Sequence, residues 1–293
     1  MGPFLQAVAS GLILGSIYAV MTVGLTLIYG ALRTLNMAHG TLTMIGGFVA
    51  WIAAVSFGLP SLIGAGAAFV VAFVLGIAIY RLAVAPLIGH RDFELVGFIS
   101  TLAVAMIAQN LMLVVFGARN KPVDPLLPGS LPLPFQITVT WHQVLMAIIA
   151  IVVLLLLQLF LTRSRHGLAV VAVAQNLDAA RLVGVDARRI YAATMGLSAG
   201  LAAIAGVLLA PIFFVSPNAG DLPLLKAIIV AIFGGLGSTR GTIVAAFAIG
   251  LVEAFASLYL GAKFALPVLF AVVFVALTIR PYGLFGLSQE TRL

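Results

Sequence analysis

The chain has 293 residues, of which 63% are hydrophobic and only 8% are charged. Soluble domains carry roughly 25% charged residues, because water must wet their surface. With a mean hydropathy of +1.25, the composition excludes an ordinary water-soluble globule and predicts an all-α, polytopic helical membrane protein. The net charge of +7 comes from basic residues between apolar runs, so we assign it to membrane orientation and expect no nucleic-acid partner.

Charges and prolines divide the chain into apolar runs, and crossing a bilayer takes roughly 20 such residues. The predicted spans are 4–30, 38–57, 61–80, 95–117, 143–162, 190–215, 224–238, 241–260 and 264–280. The seventh is short, and the glycine-rich run 234–241 interrupts the chain after it. We therefore expect about 8–10 transmembrane helices, some short or broken, in a single transmembrane domain over residues 1–293.

The distribution of lysine and arginine predicts the orientation, since cytoplasmic loops carry an excess of both. The loop 163–189 contains five arginines and is therefore placed inside. Alternation from this loop puts eleven basic residues inside, Arg292 of the C-terminal tail among them. The four outside are Arg119, Lys121, Lys226 and Lys263. The N-terminus is thus predicted outside and the C-terminus inside.

Two connecting segments are long enough to have structure of their own. The outer one, about 118–142, holds five prolines, which exclude a continuous helix and predict an extended or turn-rich segment. The inner one spans about 163–190, and its alanine-rich stretch Leu168–Arg181 lacks proline and glycine, so we predict a helix there. Gly184 is expected to stop that helix and Asp186 to cap the next turn.

Small residues recur at helix-packing spacing, in the pairs Gly11 with Gly15 and Gly196 with Gly200. Such pairs let two helix backbones approach closely in lipid, where no hydrophobic force drives helices together. They predict a packed bundle.

A polar cluster lies at the broken junction between the first two spans and contains Asn36, His39 and Gly40. Polar side chains at membrane depth are costly, so each is a functional candidate. Beside a helix interruption they can present polar groups to a solute. In the alternative interpretation, Asn36 caps the second helix and His39 binds a neighbouring carbonyl.

Three further polar residues lie within spans. Gln109 and Asn110 are adjacent in the fourth span and point about 100° apart on a helix. One can face a translocation path while the other bonds across to another helix. Glu253, in the eighth span, is a candidate solute ligand, proton site or partner of a basic group.

The residues predict no catalytic, metal or cofactor site. Gly196–Gly200 fits the G-x-S-x-G pattern around Ser198, but it lies in a predicted membrane helix and lacks the strand that a nucleophile elbow needs. The run 234–241 lacks the lysine of a P-loop, and the histidines lack the spacing of a helical zinc pair. If the chain takes part in a process that uses ATP, another subunit must bind the nucleotide.

Three segments carry a family resemblance. Residues 24–40, GLTLIYGALRTLNMAHG, resemble the hallmark of bacterial branched-chain amino acid ABC permeases of the LivH type. Residues 174–190 look like the cytoplasmic coupling loop of that family. The run 234–241, followed by the helix with Glu253, is similar to its C-terminal region. The resemblance covers nearly the whole chain.

The resemblance implies a permease subunit of an ABC importer in the bacterial inner membrane. It implies four kinds of partner: a second permease chain, related or identical, two cytoplasmic ATP-binding subunits, a periplasmic solute-binding protein and the lipid bilayer. The residues that would dock on an ATPase are Gln175, Asn176, Asp178, Arg181, Gly184, Asp186, Arg188 and Arg189. Asn36, His39 and Gly40 would lie at or near the translocation path.

Two alternatives stay open on the residues alone. Urea and short-chain amide permeases share the same motifs, so the solute is not determined. A self-sufficient proton-coupled carrier would use Glu253 or His39 as its proton site.

Five arginines and two aspartates in the inner loop exceed what a link between spans requires, which favours a docking surface over orientation alone.

Overall fold

The computed structural model describes residues 2–59, 61–133 and 137–286. Its helices, in chain order, are α1 (Gly2–Leu32), α2 (His39–Phe57), α3 (Ser61–Ile79), α4 (Phe93–Phe116), α5 (Trp141–Arg163), α6 (Arg165–Gln175), α7 (Leu177–Leu182), α8 (Ala187–Phe213), α9 (Asp221–Gly234), α10 (Thr239–Tyr259) and α11 (Ala262–Ile279). Two turns, Tyr80–Val84 and Ala85–Leu87, continue α3.

Eight helices of the described ranges are long and apolar enough to cross a membrane, all except α6, α7 and α9. The prediction of an all-α polytopic membrane protein is thereby confirmed. The seventh predicted span corresponds to α9, whose 14 residues are shorter than a full crossing. Pro134 of the outer loop and Arg292 of the C-terminal tail lie outside the described residues.

The helices α1 and α8 are the most buried and form the centre of the bundle. The first packs against α10 and α8, and α8 also contacts α2 and α3. A Cβ added to Gly11 or Gly15 would lie 2.8 Å from the backbone of α10, and Gly196 and Gly200 contact α3. The predicted small-residue pairs therefore do lie at helix contacts, where close approach maximises van der Waals attraction.

The outer loop is extended, as its prolines predict. Two short strands, β1 (Ser130–Leu133) and β2 (Ile137–Thr140), pair in antiparallel register, with Ser130 opposite Thr140. Lys121 pairs with Val215 and thereby ties this loop to the segment after α8. A reciprocal cap between Thr140 and Gln143 begins α5, two residues earlier than predicted.

The inner loop differs from the prediction in one respect. The single helix expected over Leu168–Arg181 is wrong, because Asn176 separates α6 from α7. Its side-chain oxygen accepts the Ala179 N–H at 3.0 Å, which ends one helix and begins the next. Gly184 does stop α7 with φ +84°, and Asp186 does cap α8.

The segment after α11 packs against the glycine run between α9 and α10 and forms backbone hydrogen bonds there. The Leu284 N–H donates to Phe233 O at 2.9 Å, and the Phe285 N–H donates to Gly234 O at 3.2 Å. These bonds satisfy carbonyls at the end of α9 that lack partners within the helix. Gly235 has φ +97°, a conformation that favours glycine.

We expect Gly206→Ala to lower the melting temperature of the detergent-solubilised protein by several degrees. The added methyl group would meet the Thr43 carbonyl of α2, and overpacking costs about 1–3 kcal/mol. The matched control is Gly66→Ala in α3, where an added Cβ has nothing within 4 Å and alanine improves helix propensity. Equal melting temperatures for the two variants would contradict this account of the α2–α8 contact.

Candidate translocation site

The junction between α1 and α2 lies inside the bundle. Asn36 Oδ1 accepts the Ala38 N–H at 3.0 Å and holds the turn before α2. His39 Nε2 lies 2.9 Å from Met21 O, and Met21 precedes the end of α1 at Leu32 by 11 residues (32 − 21). At 1.5 Å per residue this is about 16 Å. The start of α2 therefore lies beside an interior turn of α1, well away from the end of α1.

His39 contacts α8 as well as α1. Its Nδ1 lies 3.4 Å from the Ser198 hydroxyl, so a neutral ring protonated at Nε2 satisfies both contacts. The sequence around Ser198 did not reveal a histidine, but the fold supplies one from α2. Both side chains are fully buried, so water and substrate have no access, and the pair joins helices rather than forming a hydrolytic site.

Gly40 brings the start of α2 against the start of α9. A Cβ at this position would lie 2.5 Å from Gly220 O and 2.7 Å from the Leu224 Cβ. Only a glycine permits this backbone contact. Two helices thus begin next to each other within the bundle.

Gln109 makes the cross-helix contact that was expected of one member of the Gln109–Asn110 pair. Its Nε2 donates to Asn218 Oδ1 at 3.0 Å and to Asp221 Oδ2 at 3.2 Å. Asn110 donates to Met106 O of its own helix at 2.8 Å and stays exposed. The fourth helix is thereby tied to the beginning of α9.

Glu253 is part of a three-residue polar cluster that joins α1, α9 and α10. Lys226 Nζ donates to Glu253 Oε1 at 2.6 Å and to Tyr18 Oη at 2.9 Å. The Tyr18 hydroxyl donates to Glu253 Oε2 at 2.7 Å. The lysine and glutamate side chains are only 15% and 12% exposed. Of the three roles open to Glu253, the structure supports partnership with a basic group.

Sequence reasoning missed two members of this cluster. Lys226 was counted as an outer-loop residue, although it falls just within the predicted span 224–238, where a lysine signals a functional site. Tyr18 lies in an uninterrupted apolar run and carries no local signal. Only the fold brings it to Glu253, 235 residues away.

A cavity of about 170 Å³ lies between α1, α2, α8 and α9. Its apolar walls include Met44, Leu209, Ala210, Phe213 and Leu222. Its polar lining consists of Tyr18, Thr43, Asn218 and Lys226. Glu253 and Gln109 each lie one hydrogen bond beyond this lining. Asn36, His39 and Gly40 belong to the helix contacts nearby, outside the lining.

Two wider hollows occur at the edge of the bundle. One, of about 590 Å³, borders α11, and the other, of about 540 Å³, lies by the N-terminal part of α1. Apolar side chains dominate the first, as expected of a surface that faces lipid. Neither contains the Lys226 cluster, so the smaller cavity is the better candidate for a solute.

The inner loop presents an exposed surface formed by α6, α7 and the start of α8. We call it the coupling surface, and it comprises Gln175, Asn176, Asp178, Arg181, Leu182, Val183, Gly184, Asp186, Arg188 and Arg189, all exposed. Leu182 and Val183 are 89% and 79% exposed, which is unusual for apolar side chains beside so many charges. Arg181 and Arg189 pair with aspartates three residues earlier at 3.7 and 3.0 Å, and such exposed pairs contribute little to stability.

The chain is similar to known proteins over nearly all of its length. The family profile described as "Branched-chain amino acid transport system / permease component" matches residues 7–279. The high-affinity branched-chain amino acid transport system permease proteins BraD of Pseudomonas aeruginosa and LivH of Escherichia coli K12 are each 32% identical over 99% of this chain and 98% of their own. A probable LivH protein of Methanocaldococcus jannaschii is 28% identical over 95% of this chain and 91% of its own. No solved structure gives a significant match.

We expect Glu253→Gln to destabilise the protein strongly, because it leaves Lys226 charged at membrane depth without its counter-charge. Breaking one side of a buried pair costs about 3–5 kcal/mol. The double variant Lys226→Met with Glu253→Gln removes both charges and should recover more than half of that loss. Thermal unfolding of all variants in mild detergent measures this double-mutant cycle.

The matched control is Lys263→Met, which changes an exposed lysine in the first turn of α11 and should leave the melting temperature nearly unchanged. A double variant whose destabilisation equals the sum of the two single effects would show that Lys226 and Glu253 do not stabilise each other.

Proposed function

Since the chain belongs to the family of branched-chain amino acid transport system permease components, we propose that it imports branched-chain amino acids across the bacterial inner membrane. It is a multi-pass membrane permease subunit and not an enzyme. The observation that carries the proposal is the relationship over residues 7–279. The mostly apolar walls of the cavity favour a branched aliphatic side chain over urea or a short amide.

The proposed assembly is an ABC importer with two ATP-binding subunits, a second permease chain and a periplasmic solute-binding protein. The free energy of transport comes from ATP hydrolysis on the partner subunits. The coupling surface supports docking of an ATPase, because Leu182 and Val183 protrude among charged residues. An apolar pair with a charged surround is typical of a protein interface.

The proposed mechanism is alternating access. The solute-binding protein delivers an amino acid to the outer face, and closure of the ATPases rocks the helices to open the inner side. The starts of α2 and α9 support this, because they meet inside the bundle at Gly40 and Gly220, and helix termini within the membrane line substrate paths in many transporters. The cavity between them and α8 is the proposed path, with Asn36, His39 and Gly40 in its surrounding contacts.

The test is purification of the chain from its native membrane in mild detergent, followed by reconstitution into liposomes. We expect two ATPases and a second permease to accompany it, and leucine with the solute-binding protein to stimulate ATP hydrolysis and uptake. Leucine uptake by the chain alone, without ATP, would replace this proposal with the proton-coupled carrier. Uptake of urea in preference to leucine would identify the amide permease.

Leu182→Asp should abolish ATP-driven uptake and reduce recovery of the ATPases about tenfold or more, since a charge replaces the central apolar contact of the proposed interface. The chain itself should fold, because little packs against this side chain. The matched control is Ile88→Asp, an exposed residue of another predicted inner loop, which should retain the ATPases. Full recovery with Leu182→Asp would locate the ATPase contact elsewhere.

The proposed orientation, with the N-terminus outside and the C-terminus inside, can be tested with single cysteines, because the chain has none. A membrane-impermeant maleimide should label Leu127→Cys in the outer loop on intact spheroplasts. It should label Ile88→Cys, in a predicted inner loop outside the proposed ATPase contact, only after the membrane is permeabilised. Both side chains are exposed, so accessibility differs only through sidedness. The reverse pattern would invert the topology.

A further inference from the structure

We propose that the cavity between α1, α2, α8 and α9 is a transient solute-binding site in which Lys226 binds the carboxylate of the amino acid. The inference deepens the proposed function and depends on it only in taking the solute to be a carboxylate-bearing amphiphile. It assigns a binding role to Lys226 and a positioning role to Tyr18 that no sequence motif indicates.

The hydrogen bonds of Lys226 leave it able to bind a solute. An ammonium group has three donors, and within the described residues Glu253 Oε1 and Tyr18 Oη accept two of them. The third remains for a group in the cavity, whose lining includes Lys226. A carboxylate accepts such a charge-assisted bond in preference to a neutral amide oxygen.

Glu253 offsets the cost of burying the Lys226 ammonium group and orients it. An isolated ammonium at membrane depth is costly because the bilayer core does not solvate it. The adjacent carboxylate offsets that cost, and Tyr18 fixes the carboxylate by donating to its second oxygen at 2.7 Å. Glu253 does not itself line the cavity, so it acts here as a positioning residue.

The size and walls of the cavity match a small aliphatic amino acid. Its volume of about 170 Å³ is below the roughly 300–1,000 Å³ of sites for drug-sized ligands. Met44, Leu209, Phe213 and Leu222 supply apolar contact, while Lys226 is the one cationic residue among the polar residues of the lining. This arrangement suits one carboxylate attached to a short branched hydrocarbon.

The ammonium group of the amino acid has polar partners near Asn218. Asn218 lines the cavity, and Gln109 holds it beside Asp221 through bonds of 3.0 and 3.2 Å. The Asp221 carboxylate is exposed and lies beyond the lining. We place the ammonium group of the solute towards Asn218 and Asp221. Asp221 begins α9, five residues before Lys226.

The experiment uses thiol labelling of the complete complex purified from its native membrane, without nucleotide. Ala219→Cys puts the only thiol of this chain in the cavity lining, and mass spectrometry follows its reaction with a small methanethiosulfonate. The probes are leucine, isovalerate, leucinamide and isopentylamine at millimolar concentration. We expect the first two, which have a carboxylate, to slow labelling by about fivefold or more, and the last two to have little effect.

Two controls separate solute binding from a structural effect. Val114→Cys, 83% exposed on α4, should react at the same rate with every probe. In the background of Lys226→Met with Glu253→Gln, leucine should protect Ala219→Cys no better than leucinamide, provided that the double variant stays folded. If the double variant does not fold, the four probes compared on Ala219→Cys in the otherwise unchanged chain test the role of Lys226 by themselves.

The outcomes distinguish this proposal from the proposed function. Equal protection by leucine and leucinamide would overturn the role of Lys226. A complex that imports leucine but shows no protection by either carboxylate would overturn the site and leave the proposed function standing. Protection by isovalerate in a complex that does not import leucine would support the site and overturn the proposed solute.

Discussion

Backbone contact between α8 and its neighbours is the constraint on which the rest of the structure depends. Lipid supplies no hydrophobic force between helices, so the bundle is held by van der Waals contact at glycines and alanines. Gly46 of α2 meets Ala203, Gly206 meets Thr43, and Gly76 of α3 meets Met195. These contacts fix the first half of α2 against α8. They thereby determine where α2 begins and which residues surround the cavity.

Hydrogen bonds and one charged pair stabilise the helix arrangement that the glycine contacts allow. The short helix α9 cannot cross the membrane by itself, and hydrogen bonds to α1, α4 and α10 hold it in position. A charged pair at membrane depth offsets its desolvation only when its geometry and hydrogen bonds are good. The cluster of Tyr18, Lys226 and Glu253 meets this condition, since each carboxylate oxygen has a donor. The same cluster makes the cavity polar at one end.

The proposed coupling and the proposed path share one rigid element. Asp186 of the coupling surface caps the first turn of α8, while Leu209 and Phe213 near its other end line the cavity. A helix transmits displacement along its axis because its own hydrogen bonds keep it stiff. Movement of an ATPase against the coupling surface would therefore reach the cavity through α8. The helix α6 contacts α1, α5 and α8, so the loop is anchored at several points.

The sequence by itself determined the membrane class, nearly all helix positions, the extended outer loop, and the turns at Gly184 and Asp186, because each depends on local hydropathy, proline content or helix capping. Even the break at Asn176 had a local signal in a good capping residue. Tertiary structure alone decided that Lys226 and Tyr18 meet Glu253, that His39 meets Ser198, and that the cavity lies between α2, α8 and α9. The reason is physical: helices that are apolar on every side carry no periodic pattern to show which face meets which neighbour. Only the packing of distant glycines selects those partners.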